Sequence, residues 1–232
     1  MKTIGILGGM SPEASINYYR RLIDLSRERW RYRCPRIIIF SLDLEEWKDA
    51  VERPEGHRGA VSLLCDGVAR LHRAGAEFAV MASNTPHMFF EEVAAASPIP
   101  ILSIVEETAR EAECRGFHRV GLLGTTMVME GEFYRGPFTR RGISVVVPES
   151  GERARVHETI VKHLVCGDFR DEIKSELAGV AHRLHREQEI EALVLGCTEL
   201  PLVLNENDLG IPVLNTTEIH VRAAFARALE GL

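Results

Sequence analysis

Two short segments of the sequence carry the residue types that proton-transfer chemistry requires. Ser83 is followed by Asn84 and Thr85, and Cys197 is followed by Thr198. A hydroxyl or a thiol can carry a proton, while neighbouring amide and hydroxyl groups can bind a carboxylate. A proline follows each segment, as is typical of a helix start. Because a thiol at a helix N-terminus has a lowered pKa, the sequence predicts that Cys197 is prepared for proton abstraction.

A glycine turn and a pair of hydroxyls form two further candidate ligand-binding segments. In Gly8-Gly9-Met10-Ser11-Pro12, Ser11 suits a helix N-cap and Pro12 the first helical position. The glycines would let backbone amides approach a ligand, and the helix N-terminus would favour an anion. The spacing is not the G-x-G-x-x-G of dinucleotide-binding proteins, so NAD is not expected. Thr125 and Thr126 follow Gly124 at the equivalent place in the second half of the chain.

The chain contains the same half twice. Four short segments recur in the same order, at a nearly constant offset close to half the chain length, which is the signature of a duplication. Ser83 and Cys197 occupy equivalent positions, so they would oppose each other over a cleft if the halves face each other across a pseudo-two-fold axis. The matched segments are 4–8 with 120–124, 71–73 with 184–186, 80–85 with 194–198, and 99–102 with 211–214.

Each half alternates predicted strands and helices. Short apolar runs without polar alternation are typical of strands that are buried on both faces of a parallel sheet. Such an alternation predicts an α/β fold in which ligands bind beyond the carboxyl ends of the strands. The predicted strands are 4–7, 37–40, 78–81, 100–104, 120–123, 143–147, 192–195 and 212–214. The predicted helices are 12–30, 58–74, 88–96, 106–115, 131–141, 155–165, 169–188 and 218–230.

Composition and charge exclude several classes of protein. The 232 residues are 45% hydrophobic and 27% charged, which is ordinary globular composition. The net charge of −6 argues against a protein that binds nucleic acid or an anionic membrane. No apolar run approaches the roughly 20 residues that span a bilayer, and no signal peptide is recognisable. The five cysteines are widely spaced and form no CxxC pair, which favours a reducing cytoplasm without disulfides or a zinc site.

Other features have structural interpretations. Cys197 is the one cysteine in a duplicated motif, and the remaining four are interpreted as small buried hydrophobic residues. His182 and His185 share a helix face, but no third ligand accompanies them, so no metal is expected. Trp30, Tyr32 and the arginines around them are interpreted as a helix end or a subunit contact.

Taken together, these motifs resemble the aspartate/glutamate racemases, the amino-acid racemases that need no pyridoxal phosphate, and in particular their aspartate racemase branch. The resemblance covers nearly the whole chain and rests on residues 4–14, 83–87, 123–126 and 196–200. It implies two similar Rossmann-like domains with parallel sheets, related by pseudo-two-fold symmetry, and an active site in the interdomain cleft. It implies a homodimer, no cofactor, and a C-terminal helix that crosses back to the first domain. The expected domains are therefore 1–98 with 210–232, and 99–209.

The resemblance also implies the reaction and its residues. One cysteine removes the α-proton of an acidic amino acid, and a second returns a proton to the opposite face. Cys197 matches the second of these cysteines. Lys162 is a candidate for binding the side-chain carboxylate of the substrate, and an exposed helix lysine is the alternative. The other matched positions are Asn84, Thr85 and Thr198 around the α-carboxylate and ammonium, Met10 and Ser11 in the pocket wall, and Thr125 and Thr126 as hydroxyls of the second domain.

One position departs from the family pattern. Ser83 stands where the first cysteine is expected, and a serine hydroxyl is a much weaker acid than a thiol. In one interpretation the protein is a racemase biased toward L-substrates, with Cys197 as the main acid/base and Ser83 as its counterpart. In a second, a single cysteine suffices, as in the arylmalonate decarboxylases. In a third, Ser83 marks an impaired or engineered variant that only binds acidic amino acids.

Overall fold

Two parallel sheets of four strands each organise the residues described by this computed structural model, 1–53 and 56–230. The first sheet contains β1 (Ile4–Gly8), β2 (Ile37–Ser41), β3 (Phe78–Met81) and β4 (Ile101–Leu102), in the order β2-β1-β3-β4. The second contains β5 (Arg119–Leu123), β6 (Ser144–Val146), β7 (Ala192–Leu195) and β8 (Val213–Asn215), in the order β6-β5-β7-β8. The identical order confirms the α/β fold and its duplication.

Helices follow most of the strands. The α-helices among the described residues are α1 (Pro12–Arg29), α2 (Leu44–Glu52), α3 (Gly56–Arg73), α4 (Phe90–Ala96), α5 (Ile104–Cys114), α6 (Thr126–Glu130), α7 (Glu132–Thr139), α8 (Ser150–Lys162), α9 (Asp171–Gln188), α10 (Glu206–Leu209) and α11 (Thr216–Leu229). Three 3₁₀ segments lie at Thr85–Phe89, Leu164–Cys166 and Leu200–Leu202. The sequence did not predict α2, α6 or α10; of these, α6 with 5 residues and α10 with 4 are too short to show a repeated apolar period.

The chain divides into two compact units. Unit 1 comprises Met1–Ile104 and the C-terminal segment from His220, and unit 2 comprises Val105–Ile219. The boundaries expected at 98/99 and 209/210 therefore need correction to 104/105 and 219/220. The physical reason is strand pairing, since β4 hydrogen-bonds to β3 and β8 to β7. Each of these strands thus completes the sheet of its own half.

The sheet of unit 1 is covered by apolar side chains on both faces. Because successive residues of a strand point to opposite faces, Ile6 and Leu7 of β1 enter different clusters. Leu7 packs with Leu64 and Val68 of α3. Ile6 packs in the cluster that also holds Tyr18 of α1 and, from α11, Val221, Ala224, Phe225 and Ala228. The C-terminal helix therefore contributes to the core of unit 1.

Two expectations about burial are corrected, one for strand β2 and one for the cysteines. Strand β2 is not buried on both faces, because it lies at the edge of its sheet and leaves Ile39 42% exposed. Cys114 and Cys166 are exposed rather than buried, and Cys34 and Cys65 are half-buried. Among the helices of the described residues, none is both long and apolar enough to cross a membrane.

Candidate active site

All the predicted site residues except Lys162 lie at the carboxyl ends of the two central strands of each sheet. In unit 1, Met10 and Ser11 follow β1 and Ser83 follows β3, and these strands are paired with Leu7 opposite Met81. In unit 2, Thr125 follows β5 and Cys197 follows β7, with Leu123 opposite Leu195. The register therefore brings each pair of predicted segments to one edge of its own sheet.

The start of α1 confirms the predicted cap. The Ser11 hydroxyl accepts a hydrogen bond from the backbone N–H of Ala14, and Pro12 occupies the first helical turn. Met10 and Ser11 are both buried. This arrangement fixes the chain that connects β1 to α1.

The glycine turn has a packing requirement that the sequence did not show. Gly9 adopts a positive φ of 88°, and its backbone N–H donates to the Ser15 hydroxyl at 2.9 Å. A Cβ at Gly9 would lie closer than 3.0 Å to three backbone atoms of Leu42. Glycine is thus required there because the turn packs against the chain after β2, and this packing accounts for it without a ligand.

The Ser83 segment is held by a buried histidine. Ser83 and Asn84 are buried, and Thr85 begins the 3₁₀ segment that precedes α4. His87 Nδ1 lies 2.9 Å from the Ser83 carbonyl oxygen, and the Ile104 backbone N–H lies 3.1 Å from Nε2. Since a carbonyl only accepts and an N–H only donates, His87 carries its proton on Nδ1. Burial lowers the pKa of His87 to about 4, so the ring is neutral near pH 7.

Cys197 shares a carboxylate with its neighbour. The Cys197 thiol donates to Glu199 Oε2 at 2.9 Å, and the Thr198 hydroxyl donates to the same oxygen at 2.8 Å. All three side chains are buried. Glu199 is therefore the carboxylate in direct hydrogen-bond contact with the sulfur, at a distance from which it can receive the thiol proton.

The predicted pKa of the Cys197 thiol is wrong in direction. Burial raises this pKa well above its ordinary value, and the charge and hydrogen bond of Glu199 raise it further. Hydrogen bonds from the backbone N–H groups of Glu199 and Leu200 oppose this effect and are outweighed. The element that follows is a 3₁₀ segment of 3 residues rather than a helix, so little dipole acts on the sulfur. The thiol is therefore protonated until a base removes its proton.

Sequence reasoning missed Glu199 as a functional residue. The signal was present in the repeat, because Ser83-Asn84-Thr85 matches Cys197-Thr198-Glu199 position by position. Where the first half has the hydroxyl of Thr85, the second half has a carboxylate. The two halves are therefore chemically unequal, with an acidic partner for the thiol and a neutral residue at the matching place beside the serine.

The remaining predicted residues lie in unit 2. Thr125 precedes α6, and its carbonyl accepts from the backbone N–H groups of Val128 and Met129. The Thr126 N–H lies 3.3 Å from His157 Nδ1. Lys162 is 66% exposed on α8 and forms an ion pair with Glu158 four residues earlier. A contact between Lys162 and substrate stays a prediction.

Residues 1–53 and 56–230 contain no group of three or more histidine, cysteine, aspartate or glutamate side chains arranged to hold a metal ion. His182 instead contacts the Leu209 carbonyl and His185 the Ile190 carbonyl. Both histidines therefore have structural partners.

A duplicated parallel α/β fold with proton-carrying side chains at matching strand ends is suited to moving a proton on a small substrate, because ligands of such sheets bind beyond the carboxyl ends of the strands. The model of the Asp/Glu/Hydantoin racemase family matches residues 7–224. RacX, a broad specificity amino-acid racemase of Bacillus subtilis, is 25% identical over 220 residues, which cover 92% of each protein.

Solved structures agree with this match. The crystal structure of an aspartate racemase homologue from Pyrococcus horikoshii is 35% identical, with a TM-score of 0.87, and covers 99% of this chain and 100% of that one. The aspartate racemase of Picrophilus torridus is 24% identical with a TM-score of 0.81, covers 98% of this chain and 94% of that one, and supports the fold alone. The chain belongs to the Asp/Glu/hydantoin racemase family, and it is an isomerase.

Proposed function

We propose that the protein racemises aspartate or glutamate without a cofactor, with Cys197 as the main acid/base and Ser83 as its weaker counterpart. The observation that carries this proposal is the buried thiol-carboxylate pair of Cys197 and Glu199, at the strand end that matches Ser83 in the duplicated half. The likeness to an aspartate racemase homologue supports an acidic substrate.

The proton transfers start from the protonated thiol. Glu199 takes the thiol proton, and the Cys197 thiolate then removes the α-proton of the amino acid. The side chains of Asn84, Thr85 and Thr198 bind the α-carboxylate and ammonium, which stabilises the carbanion. Met10, Ser11, Thr125 and Thr126 complete the pocket in this proposal, and Lys162 binds the side-chain carboxylate if it releases Glu158.

Ser83 completes the inversion by giving its hydroxyl proton to the opposite face of the carbanion. Water then protonates the serine oxygen, and the proton held by Glu199 neutralises the hydroxide that this leaves, which restores the starting state of all three side chains. A hydroxyl donates readily to a carbanion but is a poor base at neutral pH, so exchange starts faster from one enantiomer. We propose that this enantiomer is L. Because the equilibrium constant of a racemisation is one, kcat/KM for inversion stays equal in both directions. A difference between the L and D enantiomers is therefore expected in kcat and in the rate of α-proton exchange.

The test is proton NMR of the L and D forms of aspartate and glutamate in D₂O, with chiral analysis of the products. We expect loss of the α-proton signal with inversion, and no exchange in Cys197→Ala. Ser83→Cys supplies a second thiol, so it should raise turnover and narrow the difference between enantiomers. Absence of exchange from all four substrates would refute the racemase proposal. An unchanged Ser83→Cys variant would refute the paired roles of Ser83 and Cys197.

A second candidate is a decarboxylase of the arylmalonate type. It is favoured by one observation, the presence of a single thiol in the two matching strand-end segments. A decarboxylase generates its own carbanion and needs only one proton donor. Release of CO₂ from an arylmalonate, together with no exchange of aspartate, would select this function. Ligand-dependent thermal stabilisation by aspartate without any exchange would instead select a protein that only binds acidic amino acids.

Assembly and location belong to the same proposal. We propose a homodimer in the cytoplasm, in keeping with the family resemblance and with five free thiols. Light scattering of the purified protein measures the mass of the assembly. A monomer at the concentrations of the NMR assay would refute the dimer.

A further inference from the structure

The turn that carries Ser83 is tied to a buried network of three side chains in unit 1. The His220 Nε2–H group donates to the Leu102 carbonyl at 3.1 Å, and the Tyr18 hydroxyl donates to His220 Nδ1 at 2.9 Å. The rings of His220 and His87 meet edge to face with 6.1 Å between centroids. All three side chains are buried, with exposures between 0% and 2%.

The network forms hydrogen bonds to the chain where β4 ends. His220 holds Leu102, the last residue of β4, and His87 accepts from the N–H of Ile104, the first residue of α5. The opposite nitrogen of His87 reaches the Ser83 carbonyl, and Phe90 stacks on the ring with 5.6 Å between centroids. His87 therefore connects the chain after β4 to the turn after β3, and both of its ring nitrogens form hydrogen bonds. A ring held from both sides fixes the position of the residue that it bonds.

We propose that His87 is a positioning residue for Ser83, because its Nδ1–H bond to the Ser83 carbonyl holds the turn in the orientation from which the hydroxyl returns a proton to substrate. The inference rests on the role of Ser83 proposed above. His87 does not touch substrate in this inference. It acts through the backbone of Ser83, and it is not expected to affect proton abstraction by Cys197.

Two substitutions of His87 distinguish its two hydrogen bonds, because each variant keeps one bond and loses the other. In His87→Asn, the amide nitrogen replaces Nδ1 as donor to Ser83, and the acceptor for Ile104 is lost. In His87→Gln, the longer side chain places an amide oxygen near the position of Nε2, which keeps the acceptor for Ile104 and loses the donor to Ser83. Both variants remove the same ring and the same stacking on Phe90, so each is the matched control of the other.

The readout is a partition ratio for whichever acidic amino acid the wild type exchanges. We divide the D product formed by the α-proton lost from the L substrate. Partial unfolding lowers both quantities equally, so it leaves the ratio unchanged. Because a small misplacement of a reacting group costs up to about 100-fold, we expect His87→Gln to lower the ratio by about 10- to 100-fold. We expect His87→Asn to keep a ratio close to that of the wild type.

Ser83→Ala distinguishes the ways in which the inference can fail. If Ser83→Ala lowers the ratio and His87→Gln does not, the positioning role is wrong while the proposed role of Ser83 stands. If Ser83→Ala keeps the wild-type ratio, the proposed role of Ser83 fails first. An equal loss in His87→Asn and His87→Gln would also overturn the inference, since the bond to Ser83 would not be the determining one. If His87→Gln does not fold, His87→Ala takes its place because it also loses the donor to Ser83, and a wild-type ratio in His87→Ala would overturn the inference.

Discussion

Substitution of Gly9 by alanine tests why the turn between β1 and α1 requires glycine. Gly9 has a φ of 88°, and a left-handed backbone costs a non-glycine residue about 1–2 kcal/mol. The new methyl group would also meet backbone atoms of Leu42, which cannot rotate away as a side chain could. Overpacking of this kind costs typically about 1–3 kcal/mol. Adding the two effects, we expect the free energy of unfolding to fall by about 2–5 kcal/mol.

Gly75 provides the matched control in the same unit. It has a φ of 99°, but a Cβ there would meet no atom within 4 Å. Gly75→Ala should therefore cost only the backbone contribution of about 1–2 kcal/mol. The difference between the two variants isolates the close approach of Gly9 to Leu42.

The assay is urea unfolding of both variants followed by circular dichroism, with α-proton exchange measured on the folded protein. If Gly9→Ala is no more destabilising than Gly75→Ala, the close approach does not constrain the turn. A variant that keeps its stability but loses exchange would refute the packing explanation. In that case the glycine would serve ligand binding, as its place in the sequence first suggested.

Two further predictions concern buried titratable groups. Glu199→Gln removes the charge that raises the Cys197 pKa, so alkylation of Cys197 followed by mass spectrometry should begin at lower pH. The same variant should slow α-proton exchange by about 100-fold or more, because it removes the base; unchanged exchange would contradict that role. Burial lowers the pKa of His220 to about 3 and that of His87 to about 4, from 6.5. The unfolded chain therefore binds protons between about pH 6.5 and 4 that the fold does not, and stability falls as the pH falls, by up to about 1.4 kcal/mol per pH unit for each histidine. His220→Gln should make that slope shallower in urea unfolding, and an unchanged slope would contradict the prediction.

The two halves carry different proton-carrying groups at their matching strand ends, and this difference relates the duplication to function. A racemase needs a proton-carrying group on each face of the Cα, and a duplicated fold supplies two matching strand ends. Here one end carries a thiol with a carboxylate partner, and the other carries a hydroxyl whose backbone is held by a histidine. Unequal partners of this kind are consistent with an enzyme in which proton abstraction is easier on one face.

The sequence predicted the fold where the local signal was strong. The strands Phe78–Met81 and Ala192–Leu195 begin and end at the predicted residues, because they are short continuous apolar runs at the centre of a sheet. The N-cap at Ser11 followed from its residue type and from the proline after it. The repeat in the sequence is by itself enough to identify Ser83 and Cys197 as equivalent positions.

Other properties depend on neighbours that are distant in sequence, and only the tertiary structure decided them. The partners of β4 and β8 set the unit boundaries. The periodicity of the sequence predicts a strand but does not indicate which other strand it pairs with. Burial reversed the predicted pKa of Cys197, since desolvation depends on the whole surrounding fold. Leu42 lies 33 positions after Gly9 in the sequence but packs against it, and this contact explains why the turn requires glycine. The residue types and their order thus predicted proton-transfer chemistry. The packing around each residue determined the protonation state of Cys197 and the reason why Gly9 is a glycine.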